Sequence, residues 1–174
     1  MRILSLFVVI LLAGVAGIAS PASAQVFEGE GVAFRLPRIS GEKWTPVRDC
    51  KTAQTRYTFC AKIDSSRATV GVVKLQEGKS AESHTFLSAQ VIFLKHKDDP
   101  GFSLVSRQLM VMSGSGEDLH VWVHDLSSET QKYSWAIGCA RRRCIYFYFN
   151  VASMPSELVR KLFAGVTIGK DADK

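Results

Sequence analysis

From Val32 onward, hydrophobic and polar positions alternate over most of the chain, and twice the period lengthens to that of a helix. Val32-Ala33-Phe34-Arg35-Leu36 alternates and predicts a strand that Pro37 stops. Trp44-Thr45-Pro46-Val47 predicts a short extended piece at a sheet edge, because Pro46 has no backbone donor. Tyr57 to Ile63 alternates again, with Tyr57, Phe59, Ala61 and Ile63 on one face. Ala68 to Leu75 returns after an Asp64-Ser65-Ser66-Arg67 turn. Leu104 to Met112 and Leu119 to Leu126 make another strand pair around Ser113-Gly114-Ser115-Gly116.

The first change of period falls between Ser80 and Lys97. Phe86, Leu87, Val91 and Leu94 share one side at helical spacing, with Phe93 close by, and this stripe is expected to pack on the sheet. Ser80 suits the N-cap, while Lys95, His96 and Lys97 suit the negative C-terminal end. Asp98-Asp99-Pro100-Gly101 stops this helix. A second helix opens after Ser153-Met154-Pro155, with Leu158, Val159, Leu162 and Phe163 on one stripe, and Gly165 ends it. Val166-Thr167-Ile168 adds a short strand.

Lys132 to Asn150 predicts a β-hairpin: Tyr-Ser-Trp-Ala-Ile-Gly-Cys, an Ala-Arg-Arg-Arg tip, then Cys-Ile-Tyr-Phe-Tyr-Phe-Asn. If Cys139 and Cys144 stand opposite each other, the register follows from the tip outward. Ile137 meets Tyr146, Trp135 meets Tyr148 and Tyr133 meets Asn150 on one face. Gly138 meets Ile145, Ala136 meets Phe147 and Ser134 meets Phe149 on the other, where small opposite large suits a packed core. The first face is a ladder of Tyr133, Trp135, Tyr146 and Tyr148, apolar in body and polar at the tip. It is either covered by a second layer or left partly open as an aromatic floor for a ligand or partner.

The start of the chain bears on where the protein works. Met1-Arg2, an uncharged run from Ile3 to Ala19 and Ala22-Ser23-Ala24 together predict a secretory signal peptide over residues 1–24, cleaved before Gln25. No Cys follows the apolar run, which argues against a lipoprotein. Residues 25–174 are then expected to form a single exported domain, periplasmic or secreted, with no transmembrane segment after cleavage. The formal +6 of the whole chain includes Arg2, which leaves +5 for that domain. A basic balance permits attraction to acidic surfaces without establishing it.

Cys50, Cys60, Cys139 and Cys144 are an even set in an exported domain, so two disulfides are expected. Three pairings exist; Cys50–Cys60 and Cys139–Cys144 are favoured because each brackets a turn. Chain entropy assigns about 2–2.5 kcal/mol to each short loop. Zinc ligation and redox catalysis fit poorly, since neither close Cys pairs nor Cys-x-x-Cys occurs.

Other chemistry is sparse. His120 and His124 share a strand face about 13 Å apart, too far for one metal, and are expected at the surface. Ser115 lies between glycines without the outer spacing of a nucleophile elbow. His84 and His96 sit on the first helix without a nearby matched carboxylate pair. No phosphate-binding glycine loop or zinc-protease motif occurs, so no catalytic residue, metal or cofactor is expected. Arg141, Arg142 and Arg143 are the densest charge. Held at a stapled tip that cannot fold into the core, they are either a solvated turn or a contact for an acidic envelope protein or anionic lipid surface. Nucleic acid is not expected, because no aromatic interleaving surrounds the tip.

Four strands, a helix, four strands, a helix and a short strand predict a single-domain α+β antiparallel β-sheet sandwich with two packed helices. That order resembles the PsbP-like fold of photosystem extrinsic proteins and their bacterial relatives. The features that carry the resemblance are Phe34-Arg35-Leu36-Pro37 before Trp44, the helix ending before Gly101-Phe102, the strand pair around Gly114, and Leu158 to Phe163. The resemblance implies a mostly non-catalytic role in assembly or binding and carries over no metal or cofactor residues. Trp44, Cys50, Cys60, Cys139 and Cys144 followed by Leu158-Val159-Arg160-Lys161-Leu162 is similar to the invasion-associated locus B family of exported bacterial proteins, although the helix from Ser80 to Lys97 departs from that family's mainly β middle. The function expected is therefore a non-catalytic exported binding or assembly protein. The alternatives are a small periplasmic hydrolase or redox enzyme whose residues meet only in space, and an invasion-associated locus B-like secreted factor.

Overall fold

The computed structural model describes residues 25–29, 32–39, 42–47, 59–63, 68–75, 78 and 80–168. The expected signal peptide, Cys50, Tyr57 and the turn at residues 64–67 lie outside the described residues.

Among the described residues the strands are β1 (Gln25–Gly29), β2 (Val32–Leu36), β3 (Trp44–Pro46), β4 (Phe59–Ile63), β5 (Ala68–Lys74), β6 (Ser103–Met112), β7 (Asp118–Ser127), β8 (Lys132–Ala140), β9 (Arg143–Phe149) and β10 (Val166–Ile168). The helices are α1 (Ala81–His96) and α2 (Ser156–Ala164). A seven-stranded sheet runs β3-β4-β5-β9-β8-β7-β6, and a three-stranded sheet runs β1-β2-β10. The observed pairings are all antiparallel. The α+β architecture expected from the pattern is therefore present. The strand missed was β1, whose short Gln-Val-Phe-Glu-Gly run abuts the expected cleavage point. Gln25 ties it to the large sheet: its side chain donates to the Trp44 carbonyl at 3.0 Å and accepts from the Trp44 N–H at 2.6 Å.

The hairpin sits inside the sheet with the expected register, Cys139 opposite Cys144 and Trp135 opposite Tyr148. Cys139 and Cys144 form a disulfide. Cys60 is also disulfide-bonded, and among the described residues no cysteine is free. The turn is tighter than expected, because Ala140 and Arg143 already pair and only Arg141 and Arg142 lie between them. Both have positive φ, 45° and 59°, as a two-residue turn of the primed type requires.

One face of the large sheet carries the main core. Val70, Val72, Val121, Val123, Ala136, Ile145 and Phe147 are buried there against Val159, Leu162 and Phe163 of α2 and Val32, Leu36, Val166 and Ile168 of the small sheet. The expected α2 stripe thus does pack inward. Gly138 lets it come close: a Cβ there would stand 2.4 Å from the Phe163 ring.

The other face carries α1, which is turned differently from the expectation. Phe86 is 66% exposed, Leu94 59%, Leu87 47% and Phe93 45%, so the stripe expected in the core points away from it. Among the described side chains of α1, Thr85 and His96 are buried, and Ile92 is half-buried against the cluster of Trp135, Ile137, Leu126 and Tyr146. The side chains that α1 turns to this face are thus Thr85, His96, Ile92 and the half-buried His84, whose Nε2 hydrogen-bonds Tyr146, and none is a Phe or Leu. Local caps hold the helix: Ser80 Oγ accepts from the Ser83 N–H at 3.0 Å, and His96 Nδ1 lies 2.8 Å from the Asp99 carboxylate.

Candidate functional site

Strand alternation puts His124 and Trp122 on the α1 face of β7 and Ser106 and Leu104 on the same face of β6. The β6–β7 register pairs Ser106 with His124. Their side chains meet, with Ser106 Oγ 2.8 Å from His124 Nδ1. His124 is 2% exposed, which corrects the expectation that it faces the surface; His120 on the same strand is exposed and hydrogen-bonds Gln108. The difference is position: His124 lies further from the β6–β7 turn, beside Trp135 at 4.8 Å between ring centroids, where α1 crosses the sheet. Burial pushes its pKa from 6.5 down to about 4, with the Asp125 carboxylate opposing part of that shift. Its imidazole is therefore neutral at pH 7. Its Nε2 has no hydrogen-bond partner among the described residues.

Above this pair lies a cleft of about 760 Å³ between one flank of α1 and strands β6 and β7. Phe86, Ala89 and Phe93 line it from the helix, and Leu104, Ser106, Trp122 and His124 from the sheet. Glu82 is its single carboxylate, on an exposed part of the first helical turn, and no Lys or Arg lines it. The Trp122 and His124 rings are nearly parallel, 8° apart, with centroids 6.5 Å apart. Phe93 is braced edge-on by Phe102 at 5.7 Å.

The arrangement offers a neutral donor–acceptor pair under an apolar mouth. As a nucleophile and base it is incomplete. A triad-like site needs a carboxylate to orient the imidazole. The nearest in sequence, Asp125, is turned to the opposite face, where it accepts from Arg107 Nη1 at 2.5 Å, Ser153 Oγ at 3.0 Å and the Met154 N–H at 3.0 Å. An imidazole with a pKa near 4 is also a weak base at neutral pH. Among the described residues, no group of three or more His, Cys, Asp or Glu side chains could hold a metal ion.

The aromatic ladder is placed as its register required, and α1 covers much of it. Trp135 and Tyr146 are buried, and Tyr133 and Tyr148 half-buried. Tyr146 Oη hydrogen-bonds His84 Nε2 of α1. Burial raises the Tyr133 pKa, helped by the Asp99 carboxylate, and burial lowers that of His84. His96, expected without a matched carboxylate pair, has the single carboxylate of Asp99 beside it.

The three arginines do not stand together, which corrects the picture of a cationic tip. Arg143 is 3% exposed, in β9. Arg141 is ion-paired with Glu117. Arg142 is exposed, 3.5 Å from the Leu75 carbonyl. The tight two-residue turn causes this, since it makes Arg143 part of the sheet rather than of the loop.

Sequence reasoning did not single out Ser106, Trp122 or Leu104. The signal was available in the hairpin register: with Met112 opposite Asp118, Ser106 falls opposite His124. What the pattern could not supply is the rotation of α1, which decides whether a cleft exists above them.

No family model matches the chain, and no curated protein matches it either. Its backbone is similar to the solution structure of a cyanobacterial PsbP (CyanoP) from Synechocystis sp. PCC 6803, with a TM-score of 0.53 and 15% sequence identity over 90% of this chain and 98% of that chain. The likeness favours the first of the two resemblances seen in the sequence, and the chain, with two helices and two antiparallel sheets, has a PsbP-like fold.

Proposed function

We propose that this chain is a non-catalytic exported accessory protein that holds a ligand or partner in the cleft between α1 and β6–β7. The observation that carries this reading is the neutral Ser106–His124 pair beneath an apolar cleft, with a buried imidazole nitrogen that no described residue satisfies. Buried polar atoms are nearly always hydrogen-bonded, so this nitrogen calls for a partner beyond the described residues, an ordered water or a bound group. Export is supported by the apolar start of the sequence and by the Cys139–Cys144 disulfide, which suits an oxidising compartment. The PsbP-like fold supports an accessory role. Contact with an anionic surface through the hairpin tip rests on Arg142 alone, since Arg141 and Arg143 are engaged.

The test is recovery of the mature protein from its own envelope fraction under native conditions, followed by mass measurement of whatever it retains. The variant Ala89→Trp, which fills the cleft, is expected to lose a component that the wild type keeps. Identical retention by both proteins would contradict the reading.

A hydrolase is the second reading, favoured by the Ser106–His124 contact itself. An ester such as 4-nitrophenyl acetate separates the two. The proposal expects equal turnover by the wild type and Ser106→Ala, whereas a loss confined to Ser106→Ala would favour the hydrolase.

A further inference from the structure

The geometry points to an uncharged, ring-bearing small molecule with one hydrogen-bonding group as the occupant of this cleft, its polar atom meeting the Ser106–His124 pair. This rests on the reading above and names the class of ligand.

Size comes first. About 760 Å³ falls within the roughly 300–1,000 Å³ of small-molecule sites. A metal ion or a lone anion would leave most of it unfilled. Wall chemistry comes next. Phe86, Phe93, Trp122 and Leu104 line the cleft, and Phe86 and Phe93 remain 66% and 45% exposed. Aromatic walls favour flat ligands through stacked and edge-on contacts. Trp122 and Phe93 are placed to supply one from each side, the first from the sheet and the second from the helix.

Charge then narrows the class. The polar floor is a serine hydroxyl and a buried imidazole, both neutral at pH 7, and the helix adds only the neutral Ser80, Ser83, Thr85 and Gln90 beside Glu82. An anion entering here would lose its hydration without meeting a cation, and Glu82 would repel it. A neutral hydroxyl or carbonyl matches the floor. Ser106 Oγ keeps a lone pair for a ligand donor whichever imidazole nitrogen carries the proton, and its hydroxyl is free to donate when His124 Nδ1 is the protonated one. The imidazole is fixed in advance by Ser106 at 2.8 Å and by the Trp135 ring at 4.8 Å, so binding need not order it.

Equilibrium dialysis of the mature protein at pH 7 against 1-naphthol, naphthalene and 1-naphthoate tests this. The expected result is one saturable site for 1-naphthol, with naphthalene bound about tenfold more weakly for want of one hydrogen bond. No saturable site is expected for 1-naphthoate. Ser106→Ala and His124→Phe should each bring 1-naphthol down to the naphthalene level, and Ala89→Trp should abolish both. Circular dichroism checks that each variant is folded, and Ser106→Ala, at an exposed position, keeps the test decisive if His124→Phe is not.

Equal binding of 1-naphthol and naphthalene by the wild type would overturn the inference, as would binding that survives Ala89→Trp, or no saturable site at all. Sedimentation covers the remaining occupant: a dimer that Phe86→Ser dissolves and 1-naphthol does not displace would make the cleft a contact between copies, and the inference would fall. If the naphthols fail while Ala89→Trp still loses its envelope component, the ligand class is wrong and the accessory function stands. If both fail, the function fails with it.

Discussion

The two faces of the seven-stranded sheet are packed by different means. On the α2 face, small residues of β8 oppose large ones of β9, and Phe163 enters the space that Gly138 leaves, with its ring edge-on to Phe147 at 5.0 Å. On the α1 face, rings pack beside rings, polar groups are interleaved, and the helix lays Thr85 and His96 inward while Phe86 and Leu94 face out. The first face is a hydrophobic core. The second holds a smaller buried cluster around Val73, Leu126, Trp135, Ile137 and Tyr146, with polar groups interleaved, such as His84 bonded to Tyr146, and a cleft along one side. A face that leaves large apolar groups in water and a buried nitrogen unsatisfied is poorly explained by stability alone, which is why the function is placed there.

Truncation should separate the faces most. Phe163→Ala removes a fully buried ring and is expected to destabilise by about 3–5 kcal/mol in urea unfolding. A loss below about 1 kcal/mol would erase the distinction.

Acidity should weaken the α1 face next. His124 titrates near 4 when folded and 6.5 when unfolded, so the unfolded chain binds the proton first. Stability is full above pH 6.5 and falls as the pH drops from 6.5 toward 4, by at most about 3 kcal/mol from this group. His84, also lowered, acts in the same direction. The difference between the wild type and His124→Gln isolates His124: the variant's unfolding free energy should fall less over that range. Parallel curves would show that the imidazole is not buried as described.

Gly138→Ala probes the close approach on the α2 face. Its methyl would overlap the Phe163 ring, and a loss of about 1–3 kcal/mol is expected in the same unfolding assay. No loss would mean that α2 is free to back away.

Leu94→Ala should have the smallest effect. The apolar pattern alone assigned Leu94 to the core, where truncation costs roughly 2–5 kcal/mol. At 59% exposure the expected loss is below about 0.5 kcal/mol. A loss above about 2 kcal/mol would return the stripe to the core and close the cleft.

How much was legible in advance follows the same division. The hairpin register, the Cys139–Cys144 bridge and the inward stripe of α2 could be read because each rests on local rules: the period of a strand, the reach of a disulfide, the spacing of a helix. The rotation of α1 could not. Its spacing picked out the side of Phe86, Leu87, Val91 and Leu94, but large apolar residues occur around much of its circumference, and the side turned inward carries Thr85, Ile92 and His96 instead. The burial of His124 and the sequestering of Arg143 were lost for a related reason. Both depend on what a neighbouring element covers, and on a turn two residues long where four were expected.

Hydroxyl-radical footprinting of the protein tests the contrast between the faces most directly, since it reads side-chain exposure residue by residue in solution. The account predicts strong labelling of Phe86, Phe93 and Leu94, with Phe147 and Phe163 protected. Protection of Phe86 and Leu94 to the level of Phe163 would contradict it, because the stripe would then be packed and the α1 face would be as closed as the α2 face.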